Sequence, residues 1–476
     1  MEQPLTYLNN LAQQDWLVVY NSEQFQKIAQ ELYLELTSLS ASATPPKIIL
    51  AEREPIRFLA SFIAACAANC HLFLCNPDWG KQEWQQVFNI VQPDIIWGLG
   101  TGDWEEKTIF SHSSPHSALS TQHGLNAPLP LTALIMIPTG GSSGKVKFAI
   151  HTWETLMASV QGFTEYFQLK QVNSFCVLPL YHVSGLMQFL RSFTTGGKLA
   201  ISPFKTVESG QIYNLNPSDF FLSLVPTQLQ RLLQNPELTQ WLAQFKTVLL
   251  GGAPAWDELL EKARFHRILL APTYGMTETA SQIVTLKPND FLNGRISSGQ
   301  ILPHAQIVIR NQQGEILHSN QIGNVTIQSK SLALGYYPQI WQNQDYFQVD
   351  DLGFLDEQGY LNIVGRNSDK IITGGENVYP KEVESAIRET QMVADICVIG
   401  MPDKHWGQIL IAIYVPKDAN TSTGEIQTLL SHKLSKFKIP KHWIPLSSLP
   451  RNSQGKINRQ QIQQIATEFL QFSPNQ

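Results

Sequence analysis

The chain has 476 residues, 43% hydrophobic and 15% charged, with a formal net charge of -5 at neutral pH. That length exceeds what one hydrophobic core usually supports, so at least two domains are expected, and the composition excludes a disordered chain. The acidic balance argues against nucleic acid or an anionic membrane as a partner; with a polar start (residues 1–16) and no apolar run of spanning length, we expect a cytoplasmic protein with no signal peptide and no membrane span.

In chain order, residues 48–51 read as a short apolar strand, 56–69 as an alanine-rich helix behind Pro55, and 72–75 as a second strand. A polar helix over 81–91 and a strand over 95–97 keep strands and helices alternating, the mark of a parallel α/β sheet. The Ser-, His-, Thr- and Pro-rich stretch 101–130 reads as a surface linker. Five cysteines, at 66, 70, 75, 176 and 397, are odd in number and lack paired metal spacing. Buried thiols are therefore expected rather than disulfides or a zinc site.

Residues 131–137 form a further strand that runs into Thr139-Gly140-Gly141-Ser142-Ser143-Gly144-Lys145-Val146-Lys147. Glycines let backbone N–H groups approach an anion and lysines supply charge, so the run suits phosphates. A Walker loop would need glycine where Thr139 stands and Ser or Thr where Val146 stands, so that reading fails. On residues alone, a flexible Gly/Ser turn remains open.

Strand and helix signals alternate onward: strands at 175–178, 198–201, 220–224, 247–250 and 268–271, and helices at 186–193, 228–234 and 257–263. After Gly294 the texture changes to short strands with turn signals, including 306–309 and 324–328, which suggests a small β subdomain. From Arg366 onward a helix (380–389), two strands (393–400, 409–415) and a helix (424–434) have the size of a small α+β domain. The boundary is placed between 1–368 and 369–476.

Several stretches agree in order with one family. Residues 139–147, Tyr274-Gly275-Met276-Thr277-Glu278, Asp351-Leu352-Gly353, Gly365-Arg366 through Lys370, Gly374-Gly375-Glu376-Asn377 with Tyr379-Pro380 and Glu384, and Gly455-Lys456 make the chain resemble the acyl-adenylate-forming enzymes. Local matches at 178–185, 224–229, 250–254 and 277–282 are similar to the branch that joins 2-succinylbenzoate to coenzyme A in menaquinone or phylloquinone synthesis. The resemblance implies an α/β fold: a large N-terminal domain of α/β sheets with a small β subdomain, plus a smaller, mobile α+β C-terminal lid. It implies ATP, Mg²⁺ and coenzyme A acting with a small carboxylic acid, in an acid–thiol ligase that forms an acyl-adenylate and then a thioester. A ligase for another acid, a non-catalytic adenylate-binding protein and a loader of a separate carrier protein stay open; a fused carrier is not expected, since the chain ends at Gln476. Self-association is also left open.

By resemblance, Thr139, Gly140, Gly141, Ser142, Ser143, Gly144, Lys145 and Lys147 hold the β- and γ-phosphates. Glu278 holds Mg²⁺; on residues alone a glutamate favoured by a helix N-terminus is equally open. Gly252, Ala253, Pro254, Tyr274, Gly275 and Thr277 are assigned to the adenine side, and Asp351 and Arg366 to the ribose. The family usually has glycine where Asp350 stands, so which aspartate makes the ribose contact is open. Lys456 is assigned the adenylation step as a cation bridging carboxylate and α-phosphate, although read alone it is a solvated lysine. His182 borders the acid as a second catalytic candidate. Thr227, Gly251, Met276 and Ser281 shape the acyl pocket, with Arg231 as a candidate partner for a second carboxylate. Asp369 is the expected hinge, and Gly374, Gly375, Lys436 and Lys438 the coenzyme A contacts.

Overall fold

In the computed structural model, the strand Leu270–Met276 joins two kinds of sheet. The structure describes residues 2–11, 14–39, 44–99, 132–140, 146–212, 215–341, 346–374, 376–418, 421–451 and 455–472. Through Leu270 to Pro272 this strand pairs in parallel with Thr247–Leu250, and through Thr273 to Met276 it pairs antiparallel with Ser281–Thr285. On its parallel side lie the strands Thr247–Leu250, Phe220–Leu224, Asn173–Cys176 and Leu199–Ile201. On its antiparallel side follow Ser281–Thr285, Gly299–Ile301, Tyr360–Arg366, Phe347–Leu355, Gly323–Ser329 and Ala305–Arg310. The strands expected as a small β subdomain after Gly294 thus continue the parallel sheet edge to edge, as one sheet of 11 strands.

A second sheet, of seven strands, carries Lys47–Leu50, His71–Leu74 and Ile95–Trp97 in parallel with Leu134–Gly140, which then turns back as Val146–His151. Side chains alternate across it: Ile48, Leu50, Ile135 and Ile137 enter one core, and Ile49, Ala51, Leu134 and Met136 the other. The first of these cores fills the space between the two sheets, where the helices Pro55–Ala67, Trp153–Phe167 and Val183–Thr195 pack. Parallel strands covered on both faces need such near-continuous apolar runs. Phe62, Phe189 and Phe193 are fully buried there, each stabilising by roughly 1.5–3 kcal/mol.

A third sheet, of five strands, begins at Ile371–Thr373 and is built around the long pair Val393–Asp403 and Gly407–Pro416. The helices Pro380–Arg388 and Thr423–Ser431 cover one face, and Arg459–Phe472 the other. All five cysteines are buried and free, as expected. Burial pushes the thiols of Cys70 and Cys176 up to about 12 and those of Cys66 and Cys75 well above the ordinary value. Among the described residues no helix is long and apolar enough to cross a membrane. The linker expected over 101–130 lies outside the described residues.

Candidate active site

The phosphate-loop candidate is the tip of a hairpin. Thr139 faces Lys147 and Gly140 faces Val146 across the paired strands. Gly141, Ser142, Ser143, Gly144 and Lys145 lie outside the described residues. Lys147 Nζ stands 5.5 Å from the centroid of the Tyr336 ring. Tyr336 in turn donates its hydroxyl to Glu278 Oε1 at 2.5 Å. Burial, then the Glu278 charge, pushes the Tyr336 phenol up, so it stays a donor. Tyr336 was missed in the sequence, because within Gly335-Tyr336-Tyr337-Pro338 it reads as a turn residue. Its partner is set by pairing with Ala149, on the outer strand of the hairpin.

Glu278 sits in a single 3-10 turn, Thr277–Thr279, rather than at the start of a long helix. A three-residue turn has little dipole to favour an acid, which weakens the helix-terminus reading. Thr273-Tyr274-Gly275 before it form the end of the strand Leu270–Met276. Among the described residues no three metal-ligating side chains gather. One half-buried carboxylate, held by a tyrosine beside a phosphate hairpin, still fits Mg²⁺, which takes most of its ligands from phosphate oxygens and water.

Asp351 and Arg366 are direct partners across paired strands, and Arg366 Nε donates to Asp351 Oδ1 at 3.1 Å. Tyr274 donates its hydroxyl to the other oxygen, Oδ2, at 2.7 Å. Burial first and Asp351 second hold the Tyr274 phenol well above its usual range. The two adjacent aspartates are separated by their partners: Asp350 accepts from the backbone N–H of Ser368 at 3.2 Å and from its hydroxyl. Asp350 therefore serves the linker between the two expected domains, residues 366–370, and Asp351 faces Tyr274. The Gly252-Ala253-Pro254 turn is exposed beyond the strand Thr247–Leu250, with Gly252 against Val225 and Gly251 against Thr273, next to Tyr274.

Lys456 reaches this cluster from the C-terminal region. Gly455 before it has φ +75, and a Cβ there would stand 2.8 Å from Thr227 Oγ1, so glycine is needed for the approach. Lys456 is exposed as a residue, yet protein crowds its ammonium enough to desolvate it in part. That crowding, and then Arg366, hold its pKa below the ordinary lysine range, while Glu278 opposes them. His182 is pushed down to about 4 by burial first and by the Lys456 charge second, so it is neutral. Lys456, His182, Glu278 and Arg366 thus share one field.

Arg231 does not join them. Its guanidinium is paired with Glu208 and lies over Phe204, half exposed. A different arginine, Arg191, is fully buried on the helix Val183–Thr195. It donates to Ser281 Oγ at 3.3 Å and to Gln282 Oε1 at 3.4 Å, stacks over Phe163 at 4.1 Å, and leaves Nε without a partner. Burial pushes it down to about 9, and among the described residues no carboxylate pairs with it. The sequence signal was a lone charge inside the apolar run Phe189-Leu190-Arg191-Ser192-Phe193.

In the linker, Asp369 pairs with Arg459 at 2.8 Å. Gly374 donates its N–H to the Trp406 carbonyl at 2.9 Å, and Lys441 Nζ lies 4.0 Å from the Trp406 ring. Gly375 lies outside the described residues. Lys436 is exposed, and Lys438 is paired with Glu382 at 2.5 Å.

A carboxylate, a lysine and an arginine near a glycine- and lysine-bearing strand pair are what a nucleotide-activating site requires. The chain belongs to the AMP-binding enzyme family, whose model matches residues 45–337, with the AMP-binding enzyme C-terminal domain matched at 382–456. Among its relatives, the 2-succinylbenzoate–CoA ligase of Listeria monocytogenes is 35% identical over 344 residues, 71% of this chain and 70% of that one. The protein of the same name from Bacillus cereus is 32% identical over 432 residues, 89% of each chain. The o-succinylbenzoate CoA synthetase of Bacillus subtilis, solved with its acyl-adenylate intermediate, superposes with a TM-score of 0.78 at 25% identity, covering 96% of this chain and 97% of that one. ATP-bound MatB of Rhodopseudomonas palustris shares the fold, with a TM-score of 0.80 at 20% identity over 98% of this chain and 100% of that one.

Proposed function

We propose that this chain is an ATP-dependent, AMP-forming carboxylate–CoA ligase whose acid is 2-succinylbenzoate, in menaquinone or phylloquinone synthesis. The observation that carries the reading is the arrival of the Gly455-Lys456 turn, from the far end of the chain, against Thr227, with His182, Glu278 and Arg366 within its electrostatic reach. The names of the relatives support the acid. Arg191 supports a dicarboxylic one, because a buried guanidinium without an acid partner suits an incoming carboxylate.

In the first half-reaction a carboxylate oxygen attacks the α-phosphorus, the bond to the bridging oxygen breaks, and pyrophosphate leaves. Lys456 bridges the attacking carboxylate and the α-phosphate as a cation. Thr139, Lys147 and the tip between them hold the β- and γ-phosphates. Glu278 would hold Mg²⁺, which would offset charge on the leaving pyrophosphate. Asp351 and Arg366 take the ribose, and Tyr274 with the Gly252-Ala253-Pro254 turn takes the adenine. Neutral His182 orients the acid, which lies against Thr227, Gly251, Met276 and Ser281.

In the second half-reaction the thiol of coenzyme A attacks the acyl carbonyl and AMP leaves. The lid, residues 369–476, turns about Asp369, withdrawing Lys456 and bringing Gly374 and its loop to the thiol arm, with Lys436 and Lys438 toward the nucleotide phosphates. Pyrophosphate release should favour 2-succinylbenzoate over benzoates, cinnamates and fatty acids; preference for any of the others rejects the acid. Lys456→Ala should abolish adenylate formation yet largely spare capture of a supplied acyl-adenylate by coenzyme A, and equal loss of both would remove Lys456 from its role.

A further inference from the structure

The turn that carries Glu278 is held by its carbonyls. Ala280 and Ser281 adopt φ of +49 and +90, which side chains other than glycine rarely do. Four successive carbonyls each receive a donor from elsewhere in the chain. Thr277 O lies 2.8 Å from His151 Nε2, and Glu278 O accepts from Ala333 N at 2.8 Å. Thr279 O accepts from Ser331 Oγ at 2.9 Å, and Ala280 O from Ser159 Oγ at 2.6 Å.

His151 differs from the other donors in its origin. It ends the strand Val146–His151, the outer strand of the phosphate hairpin, and is fully buried. Bonding to a carbonyl requires the proton on Nε2, so Nδ1 is the acceptor for the Thr155 hydroxyl 3.0 Å away. Thr155 belongs to the capping box of the helix Trp153–Phe167, which fixes the ring. Lys147, Ala149 and His151 alternate along one face of the strand. Lys147 lies over Tyr336, Ala149 pairs with Tyr336, and Tyr336 bonds the Glu278 carboxylate. One strand therefore grips Glu278 at both ends, the carboxylate through Tyr336 and the backbone through His151.

We propose that His151 is a positioning residue that couples the phosphate hairpin to Glu278, so that seating the triphosphate sets the carboxylate that receives its Mg²⁺. The inference rests on Glu278 being that ligand. The test is calorimetric binding of ATP to the full chain, with Mg²⁺ and with EDTA, alongside steady-state kinetics. His151→Leu should weaken ATP binding about tenfold in Mg²⁺, leave binding in EDTA unchanged, and raise KM for ATP more than it lowers kcat. His151→Gln, which keeps a donor near the Nε2 position, should restore both. Wild-type binding by a folded His151→Leu, or equal loss in Mg²⁺ and EDTA, overturns the proposal. Where His151→Leu does not fold, Thr155→Val carries the test, with a smaller loss confined to Mg²⁺ expected and wild-type binding overturning it. Glu278→Gln separates the premise: if it keeps the Mg²⁺-dependent part of binding, the reading of Glu278 fails; if it loses that part and His151→Leu does not, only the coupling fails.

Discussion

Two arginines differ in their surroundings. Arg231 lies just beyond a stretch, Val225-Pro226-Thr227-Gln228-Leu229, that resemblance ties to the acyl pocket, yet its charge is answered by Glu208 at the surface. Arg191 stands in no motif, yet its guanidinium is buried beside Ser281, a pocket candidate. Sequence distinguishes them poorly because a helix face becomes inside or outside only through packing against distant strands. If Arg191 receives the second carboxylate, Arg191→Gln should raise KM for 2-succinylbenzoate about tenfold or more while leaving KM for ATP within about twofold. Steady-state kinetics with each substrate varied in turn decide it, and equal changes in both constants would assign Arg191 to packing alone. The adjacent aspartates are likewise separated only by the fold: strand register sets Asp351 opposite Arg366, while Asp350 accepts from Ser368.

At the scale of elements, alternation of apolar strands and helices was legible through the parallel sheets, since each unit is bounded by its own turns. The merging of the later strands into one 11-stranded sheet was not, because the pairing of Gly299–Ile301 with Tyr360–Arg366 joins residues far apart in the chain. The strand Val146–His151 was also hidden, since the glycine-rich run before it is too long for a two-residue hairpin turn and reads equally as a phosphate loop or a flexible connection. The linker is the element whose chemistry is best defined. Asp350 holds Ser368 just before the expected hinge, and Arg459 holds the hinge residue Asp369 itself. Under the proposed rotation of residues 369–476, both contacts must yield or travel. Asp350→Gly should therefore raise the rate of thioester formation from a supplied acyl-adenylate, relative to adenylation, by about fivefold, the scale of one part-exposed charge-assisted hydrogen bond. Single-turnover measurements of the two half-reactions check this, and an unchanged ratio would free the linker from Asp350.

For the molecule as a whole, His151, His182 and His304 are each pushed down to about 4, chiefly by burial. Their ordinary value is near 6.5, so between about pH 6.5 and 4 the unfolded chain binds protons that the folded chain refuses. Their contribution is undiminished above that window and declines as pH falls through it; Asp369 and Glu384, raised by burial, act in the opposite sense. Urea midpoints measured across the window should fall with acid, and His304→Gln should flatten the dependence by about one proton. An unaltered slope would mean that His304 titrates normally. The five buried cysteines bear on a different hazard. The proposed intermediate is a mixed anhydride, made to be attacked by sulfur, and it forms inside a protein that contains sulfur. With every thiol enclosed, and all five pushed well towards the protonated form, the enzyme offers that electrophile no thiolate of its own. The acyl group is thereby reserved for the thiol that arrives from solution.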